Sequence, residues 1–443
     1  MTPKSSSPEQ FSSKLGAIAA AAGSAMGLGN VWRFPYVVGE HGGAAFLLLY
    51  VFFTIVISIP VLVAEFSLGR MAGKPVTAAF QFLQPKGSKW HWIGYAGVLT
   101  AFLIMSYYNI VSGWTLYYTV ASGAGWLSDF SGAEVQYFFQ GLASDPVRCI
   151  IWMSVMLIAT AIVVVQGVSG GIEKYSKILT PMLFILIIVM LVRSVTLDGA
   201  LNGLRFYLEP DFSKLTARAV FDALGQSFFS LSIGMGTMMT YGSYVSRKQN
   251  ISGMAARVAA LDFFIAFLAG AVIFPCVFAF GINPGQGTGL VFVTLPNIFN
   301  QMPFGSIFAI IFFLLLVVAA LTSSVSLLEV VVAFFKSNFH IGRRRATVIA
   351  SLLTFAVGVA CALSTTVFGV IDNVTANILM PLGAFFIVIF ATWILPTDKL
   401  RAEVEADGQK LKIFNVCYFL LKYIIPAVIL LIFANCLANW LMD

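Results

Sequence analysis

Charge is scarce in this chain of 443 residues: only 10% are Asp, Glu, Lys or Arg, against 59% hydrophobic residues. With a mean hydropathy of +0.91, such a composition excludes a soluble globular fold of this size and leaves no room for a separate soluble domain. Histidine is scarcer still. His41, His91 and His340 fall near the ends of apolar segments, and no nucleophile or metal constellation gathers around them, which argues against an embedded enzyme. Cys149, Cys276, Cys361, Cys417 and Cys436 lack metal-ligand spacing and are expected as free, buried thiols.

Long apolar runs are what the chain has instead. A spanning helix needs about 20 apolar residues, and eleven such segments can be placed. The first ends near Glu40; the others run roughly 44–70, 92–122, 148–166, 175–196, 218–245, 254–281, 304–338, 346–363, 373–395 and 412–441. The chain therefore reads as one all-α integral membrane domain, with the lipid bilayer as its surroundings. Lys and Arg favour the cytoplasmic side of short loops. With the N-terminus cytoplasmic, Lys14, Arg70, Lys74, Lys174, Arg247, Lys336 and Arg343 to Arg345 all fall inside, while Arg148, Arg193, Arg205, Lys214 and Arg218 fall outside. Eleven spans then put Asp443 on the extracytoplasmic side. The net charge of +7 follows this topology and gives no reason to invoke nucleic acid as a partner. The small residues Ala17 to Ala25 imitate a signal-peptide cleavage region, but the apolar run continues beyond them.

That run is interrupted by Gly23-Ser24-Ala25-Met26-Gly27-Leu28-Gly29-Asn30. Each interior glycine costs about 1 kcal/mol against alanine, and broken helix at membrane depth is tolerated only beside other protein or a watery cavity. Close packing of a neighbouring helix on Gly27 and Gly29 is the bland explanation. The sixth span, however, repeats the theme in Ser230-Leu231-Ser232-Ile233-Gly234-Met235-Gly236. Five spans separate the two, so the second copy is inverted, and paired interruptions of that kind point to a transporter's central site. The inverted repeats would cover about 14–197 and 216–395, with an additional helix at about 412–441. Carbonyls freed at a break suit a cation and freed amides suit an anion.

Other polar residues sit at membrane depth. Arg33, just past the first break, and Asp372, at the start of the tenth span, are natural partners across an entrance. Glu65 and Arg70 on the second span read as a structural ion pair. Within Ser106-Tyr107-Tyr108-Asn109 only one or two side chains can face a cavity, and Tyr108 is the choice, with a bond to a neighbouring carbonyl as the competing role. Asp262, isolated on the seventh span, should pair, neutralise or face a cation. Thr322, Ser323 and Ser324 either bond back to their own helix or offer neutral oxygen ligands to a monovalent cation. Gly171 and Pro181 make a fifth-span segment able to unwind or kink. The segment 283–303, with Pro284, Gly285, Gly287, Gly289 and Pro296, is too apolar for a solvated loop and is expected to fold back as a plug.

Gly23 to Pro35 followed by Glu40-His41-Gly42-Gly43, together with Gln226 to Ser232 and Leu321 to Ser324, resembles the neurotransmitter:sodium symporter family over essentially the whole chain. Eleven spans instead of twelve is similar to bacterial members, including one that carries hydrophobic amino acids. The resemblance implies two sodium sites. One is formed by Ala25, Asn30 and Ser230 with the substrate carboxylate and a seventh-span ligand, for which Asp262 is the nearest acid. The other is formed by carbonyls of Gly23, Met26 and Ala319 and hydroxyls of Thr322 and Ser323. It further implies that Tyr108 and the amides around Gly27, Leu28 and Gly29 hold the substrate carboxylate, and that the substrate side chain lies among Ile104, Phe229, Ser232, Met235, Ser323 and Leu327. Phe229 and Tyr108 would form an inner lid, Arg33 and Asp372 an outer gate, and Gly171 to Pro181 the fifth-span motif that unwinds.

Amine-carrying relatives have an aspartate where this chain has Gly27, so the resemblance implies a substrate that brings its own carboxylate. Asp262 lies where chloride-dependent relatives need an anion, which implies chloride independence. At the cytoplasmic gate the family's arginine and aspartate are replaced by Pro8 and Ser337, and Lys4, Lys14 or Glu329 are the possible substitutes. The expected function is sodium-coupled import of neutral, hydrophobic or aromatic, L-amino acids across a prokaryotic plasma membrane. A proton-coupled transporter of the same architecture, or an amino-acid sensor that binds without transporting, are the alternatives.

Overall fold

The structure is a computed structural model that describes residues 9–128, 130–281 and 289–442, with the side chains of 436–442 left aside. Among the described residues there are helices and no strands. Among the described residues nine helices are long and apolar enough to cross a membrane, and the pair Lys14–Ala25 and Gly29–Glu40, bent by 51°, makes a tenth if counted as one span. The sixth expected span is present as two pieces, Ala217–Ser230 and Thr237–Gly242, each too short to be recognised as a crossing by itself.

Most boundaries lie within a few residues of expectation, because they are set by capping chemistry next to long apolar runs. Ser13 caps the first helix by accepting from the Gly16 amide at 3.0 Å, and Asp145 accepts from the amides of Val147 and Arg148 at the start of the fourth span. Gly73, left-handed at φ 58°, ends the second. The third and eighth spans, His91–Gly123 and Gly305–Phe339, pack along one another on one side of the broken pair. The fifth and seventh spans, up to Val195 and Ile251–Ala279, flank the first helix. The larger departures are the tenth span, which begins at Thr365 rather than near 373, and the fifth. The fifth begins at Val168 rather than near 175, and its first turn, Val168–Glu173, is a π-turn, the wide turn often found at functional positions. That helix is wound throughout Val168–Val195 in this structure, with Pro181 in its interior. Gly171 meets the neighbouring fourth span so closely that a Cβ would stand 2.1 Å from the Val163 carbonyl oxygen.

Between the third and fourth spans the loop carries a helix, Gly132–Ala143, and the next long loop carries Ala200–Leu208. The expected plug is described from Gly289 onward; Pro284, Gly285 and Gly287 lie outside the described residues. From Leu290 to Asn300 the chain is helical, and Leu290, Val291, Phe292, Leu295, Ile298 and Phe299 are buried. Its Phe292 packs edge-on against Trp32 and Trp114 at ring distances of 5.7 and 6.0 Å. Cys149, Cys276 and Cys361 are free and buried, as expected, whereas Cys417 is only half-buried. Cys436 lies outside the described side chains.

Candidate functional site

Two interruptions meet at the centre of the molecule. The first helix stops at Ala25, the chain turns through Met26 to Leu28, and helix resumes at Gly29. Gly27 is fixed by closeness: a Cβ there would lie 2.6 Å from Ser323 Oγ and 3.2 Å from the Tyr108 hydroxyl. The sixth span stops at Ser230, passes through Ser232 at φ 54° and Gly234 at φ 86°, and resumes at Thr237. A non-glycine residue at positive φ is uncommon and costs free energy that the surroundings must offset. Ser232 is held there by donating its hydroxyl to the Ser24 carbonyl at 3.2 Å.

A small cavity of about 40 Å³ lies between the breaks, lined by Ala25, Gly27, Leu28, Gly29, Ile104, Tyr108, Phe229, Ser230, Ser232, Met235, Ser323 and Leu327. These are the residues expected around the substrate, and Ser24, Asn30 and Ser326 line the cavity beside them. The Leu28 amide donates to the Tyr108 hydroxyl oxygen at 3.3 Å. Above this cavity is a second of about 620 Å³, lined by Arg33, Tyr107, Trp114, Phe368 and Asp372 among others. Phe229, Tyr108, Leu28 and Gly29 border both and form the partition between them. The Arg33 guanidinium lies 5.2 Å from the centre of the Phe229 ring.

Arg33 and Asp372 line the same vestibule, but among the described residues no ion pair joins them within 4.0 Å. The expected outer pair is thus apart, consistent with the open vestibule between them. Glu65 and Arg70 are not partners either. The Glu65 carboxylate accepts from the Gly234 amide at 2.8 Å, supporting the second break. Arg70 pairs with Glu403 at 2.6 Å and donates to the Gln249 carbonyl at 2.6 Å. A break in a buried helix leaves amides that need acceptors, and this need claims Glu65.

Asp262 is fully buried. Asn30 Nδ2 donates to its Oδ1 at 2.8 Å, the Ser230 hydroxyl donates to its Oδ2 at 2.7 Å, and the Tyr50 hydroxyl lies 3.0 Å from the same oxygen. Asn30 Oδ1 is buried without a hydrogen-bond partner among the described residues. An oxygen-rich cluster with an orphaned carbonyl suits a hard monovalent cation. Tyr50 is the member that sequence reasoning missed; its only signal is a lone hydroxyl in the apolar run Ala44–Phe53.

At the second expected ion site, Gly23 approaches both Thr322 and Thr180, since a Cβ would lie 3.3 Å from Thr322 Cβ and 3.2 Å from Thr180 Oγ1. Thr322 Oγ1 bonds back to the Ala319 carbonyl of its own helix at 3.0 Å, whereas Ser323 crosses to the Ser24 carbonyl at 3.1 Å. Met26 and Ala319 are buried beside them.

The N-terminal face is closed by an ion network that sequence reasoning did not find. Glu9 pairs with Lys336 at 2.5 Å and with Arg343, Arg343 pairs in turn with Glu329, and the Tyr244 hydroxyl donates to Glu329 at 2.7 Å. Of the possible substitutes, Glu329 takes part. Lys14 makes no ion pair among the described residues, and Lys4 and Pro8 lie outside them. Next to this network the hydroxyls of Ser12 and Ser13 donate to Glu173 at 2.8 and 2.7 Å, tying the segment before the first helix to the π-turn of the fifth.

Comparison with known proteins agrees with this architecture. The model of the sodium:neurotransmitter symporter family matches residues 8–132 and 140–442. An uncharacterized sodium-dependent transporter, YhdH, of Bacillus subtilis (strain 168) is 39% identical over 440 residues, covering 97% of this chain and 97% of the relative. Another from Haemophilus influenzae is 36% identical over 458 residues, covering 98% and 99%. The crystal structure of MhsT in complex with L-phenylalanine superposes with a TM-score of 0.89 at 41% identity, covering 97% of this chain and 100% of that one. With two broken helices around a buried polar cavity, and with similarity running the length of the sequence, the chain belongs to the sodium:neurotransmitter symporter family.

Proposed function

We propose that this protein is a sodium-coupled, chloride-independent importer of neutral hydrophobic or aromatic L-amino acids, working by alternating access around the two broken helices, with the N-terminus cytoplasmic. The observation that carries the proposal is the central cavity, where an amide end, a tyrosine hydroxyl and an oxygen-rich cluster converge beneath an aromatic partition. The substrate carboxylate takes the Leu28 and Gly29 amides and the Tyr108 hydroxyl. One sodium ion takes Asn30 Oδ1, Ser230, Asp262 and the Ala25 carbonyl, and a second takes Gly23, Met26, Ala319, Thr322 and Ser323. An ion and a carboxylate that share a site raise each other's affinity by the same factor. Apolar walls at Ile104, Met235 and Leu327 favour apolar side chains, in keeping with the L-phenylalanine bound by MhsT.

The inner lock is the Glu9 network. For the substrate to leave on that face, the fifth span must loosen at Gly171 to Pro181 and Glu9 must release Lys336 and Arg343. The purified protein screened against the twenty amino acids, with sodium and with potassium in its place, tests the proposal. Binding of large neutral amino acids that appears only with sodium is expected. Binding indifferent to sodium, or confined to charged amino acids, contradicts it.

A further inference from the structure

Far from the central cavity, the end of the tenth span meets the first turns of the last one on the face that carries the Glu9 network. The tenth ends in a π-turn, Phe390–Ile394, and the last contains another, Leu420–Ile424. Such turns are rare and concentrate at functional positions. Here the two abut, and the Trp393 indole N–H donates to the Lys422 carbonyl at 3.1 Å. This tie sets the Lys422 ammonium among three rings, 5.1 Å from the centre of Trp393, 5.7 Å from that of Tyr418 and 5.7 Å from that of Tyr423. The Tyr418 ring is itself fixed, since its hydroxyl accepts from Thr397 at 2.8 Å and donates to the Thr392 carbonyl at 2.8 Å.

A box of aromatic faces ordinarily receives a cation from outside, a quaternary ammonium above all. This box is filled by the protein's own lysine, so what it presents outward is positive charge. Lys422 forms no ion pair among the described residues. The acids of the preceding connection are engaged elsewhere: Glu403 pairs with Arg70 at 2.6 Å, Glu405 accepts from the Leu411 amide at 3.2 Å, and Asp407 accepts from Asn250 Nδ2 at 2.8 Å. Asp398, the fourth, forms no ion pair with Lys422. Spacing by four puts Phe414, Tyr418 and Lys422 on one face of the helix. Phe414 stacks on Tyr418 at 5.9 Å, and the Arg401 guanidinium lies 4.6 Å from the centre of Phe414, so the positive stripe continues beyond the box.

Around Lys422 the side chains of Trp393, Phe419 and Tyr423 are exposed. On a membrane protein, exposed tryptophan and tyrosine mark the level of the lipid headgroups. A lysine at that level keeps its ammonium at the polar boundary while its stem lies along apolar surface. We propose that this corner binds an anionic phospholipid, with the lipid phosphate on the Lys422 ammonium and the upper acyl chains along the rings of Phe419 and Tyr423. In the topology of the proposed function the lipid belongs to the cytoplasmic leaflet, where basic residues are drawn to anionic headgroups. A choline lipid brings a second cation to a box that is already full. One lysine at a membrane surface corresponds to about a fivefold preference for the anionic lipid.

Dioleoyl phosphatidylglycerol and dioleoyl phosphatidylcholine, which share their acyl chains, are titrated separately into the purified full-length protein in detergent, and the lipid bound to each molecule is counted by native mass spectrometry. Phosphatidylglycerol is expected to bind about fivefold more tightly. Lys422→Gln should remove the preference and Lys422→Arg, which keeps the charge over the rings, should retain it. Lys74, which lies over the Phe82 ring at 4.9 Å on the same face, is the control, and Lys74→Gln should leave the preference unchanged. Equal affinities for the two lipids in the unaltered protein overturn the proposal, even if the Lys422 variants do not fold. An equal loss in Lys74→Gln and Lys422→Gln also overturns it, because the attraction then comes from the general charge of that face. Displacement of the lipid by an excess of inorganic phosphate would show that the lysine takes a free anion, and would overturn it as well. Lipid binding is read without transport, so none of these results bears on the proposed function.

Discussion

Asp262 illustrates how one buried acid acquires a role from its neighbours. An ionised carboxylate at membrane depth is expensive unless paired or fully hydrogen-bonded, and here Asn30, Tyr50 and Ser230 surround it. If it supplies the fixed negative charge of the first ion site, Asp262→Ser should leave transport dependent on added chloride; uptake that is equally fast in chloride and gluconate excludes that role. Thr322 and Ser323 offer the other test at this scale. Thr322→Ala with Ser323→Ala should abolish sodium-driven uptake, and undiminished uptake removes the second ion site. Gly27 has no space for a methyl group between Ser323 and Tyr108, so Gly27→Ala should weaken amino-acid binding by about tenfold or more while the protein still folds; unchanged affinity would show that the first break yields more readily than its packing indicates. Most residues lining the cavity were legible because they sit in motifs around the glycine pairs. Tyr50 and the partners of Glu65 and Arg70 were not legible, because bonds across elements leave no trace in local spacing.

At the scale of elements, the helices follow from the sequence because continuous apolar runs of about 20 residues have the length of a spanning helix, which satisfies its own backbone groups, and not that of a barrel strand. The two breaks were visible as Gly-Leu-Gly and Gly-Met-Gly. The π-turn that opens the fifth span was legible only in part: Gly170 and Gly171 within Val168–Glu173 mark a weak stretch of helix, but they do not specify the wide turn that it adopts. The N-terminal segment was the least legible, since it precedes the first apolar run. It nevertheless carries the Glu9 contacts and the Ser12 and Ser13 bonds to Glu173. Glu9→Gln removes the acid from between Lys336 and Arg343 and should shift the resting population toward the state open on the N-terminal face. Accessibility of a cysteine introduced at Ala22 to a water-soluble thiol reagent should then rise, and a rate identical to the parent's would show that the network does not hold that face shut. The second break is set by Gly234, where φ is 86° and a Cβ would stand 2.4 Å from the Met380 carbonyl oxygen. Gly234→Ala should therefore lower the melting temperature, by the equivalent of roughly 1–3 kcal/mol for the backbone strain alone; an unshifted melting curve contradicts the tight seat described for that turn.

For the molecule as a whole, the structure has a wide vestibule on one side of the Phe229 and Tyr108 partition and a closed ion network on the opposite face. That asymmetry is what a carrier needs when it binds from one side and releases to the other. The all-helical class was evident from composition, whereas which face stands open was not, because it depends on salt bridges such as Arg33 with Asp372 forming or staying apart. The most direct measurement is accumulation of radiolabelled tryptophan and leucine in proteoliposomes under separately imposed sodium and proton gradients. An inward sodium gradient should drive concentrative uptake that survives replacement of chloride by gluconate and vanishes when sodium is equal on both sides. Accumulation driven by a pH gradient without sodium, or sodium-dependent binding with no accumulation, would contradict the coupled mechanism.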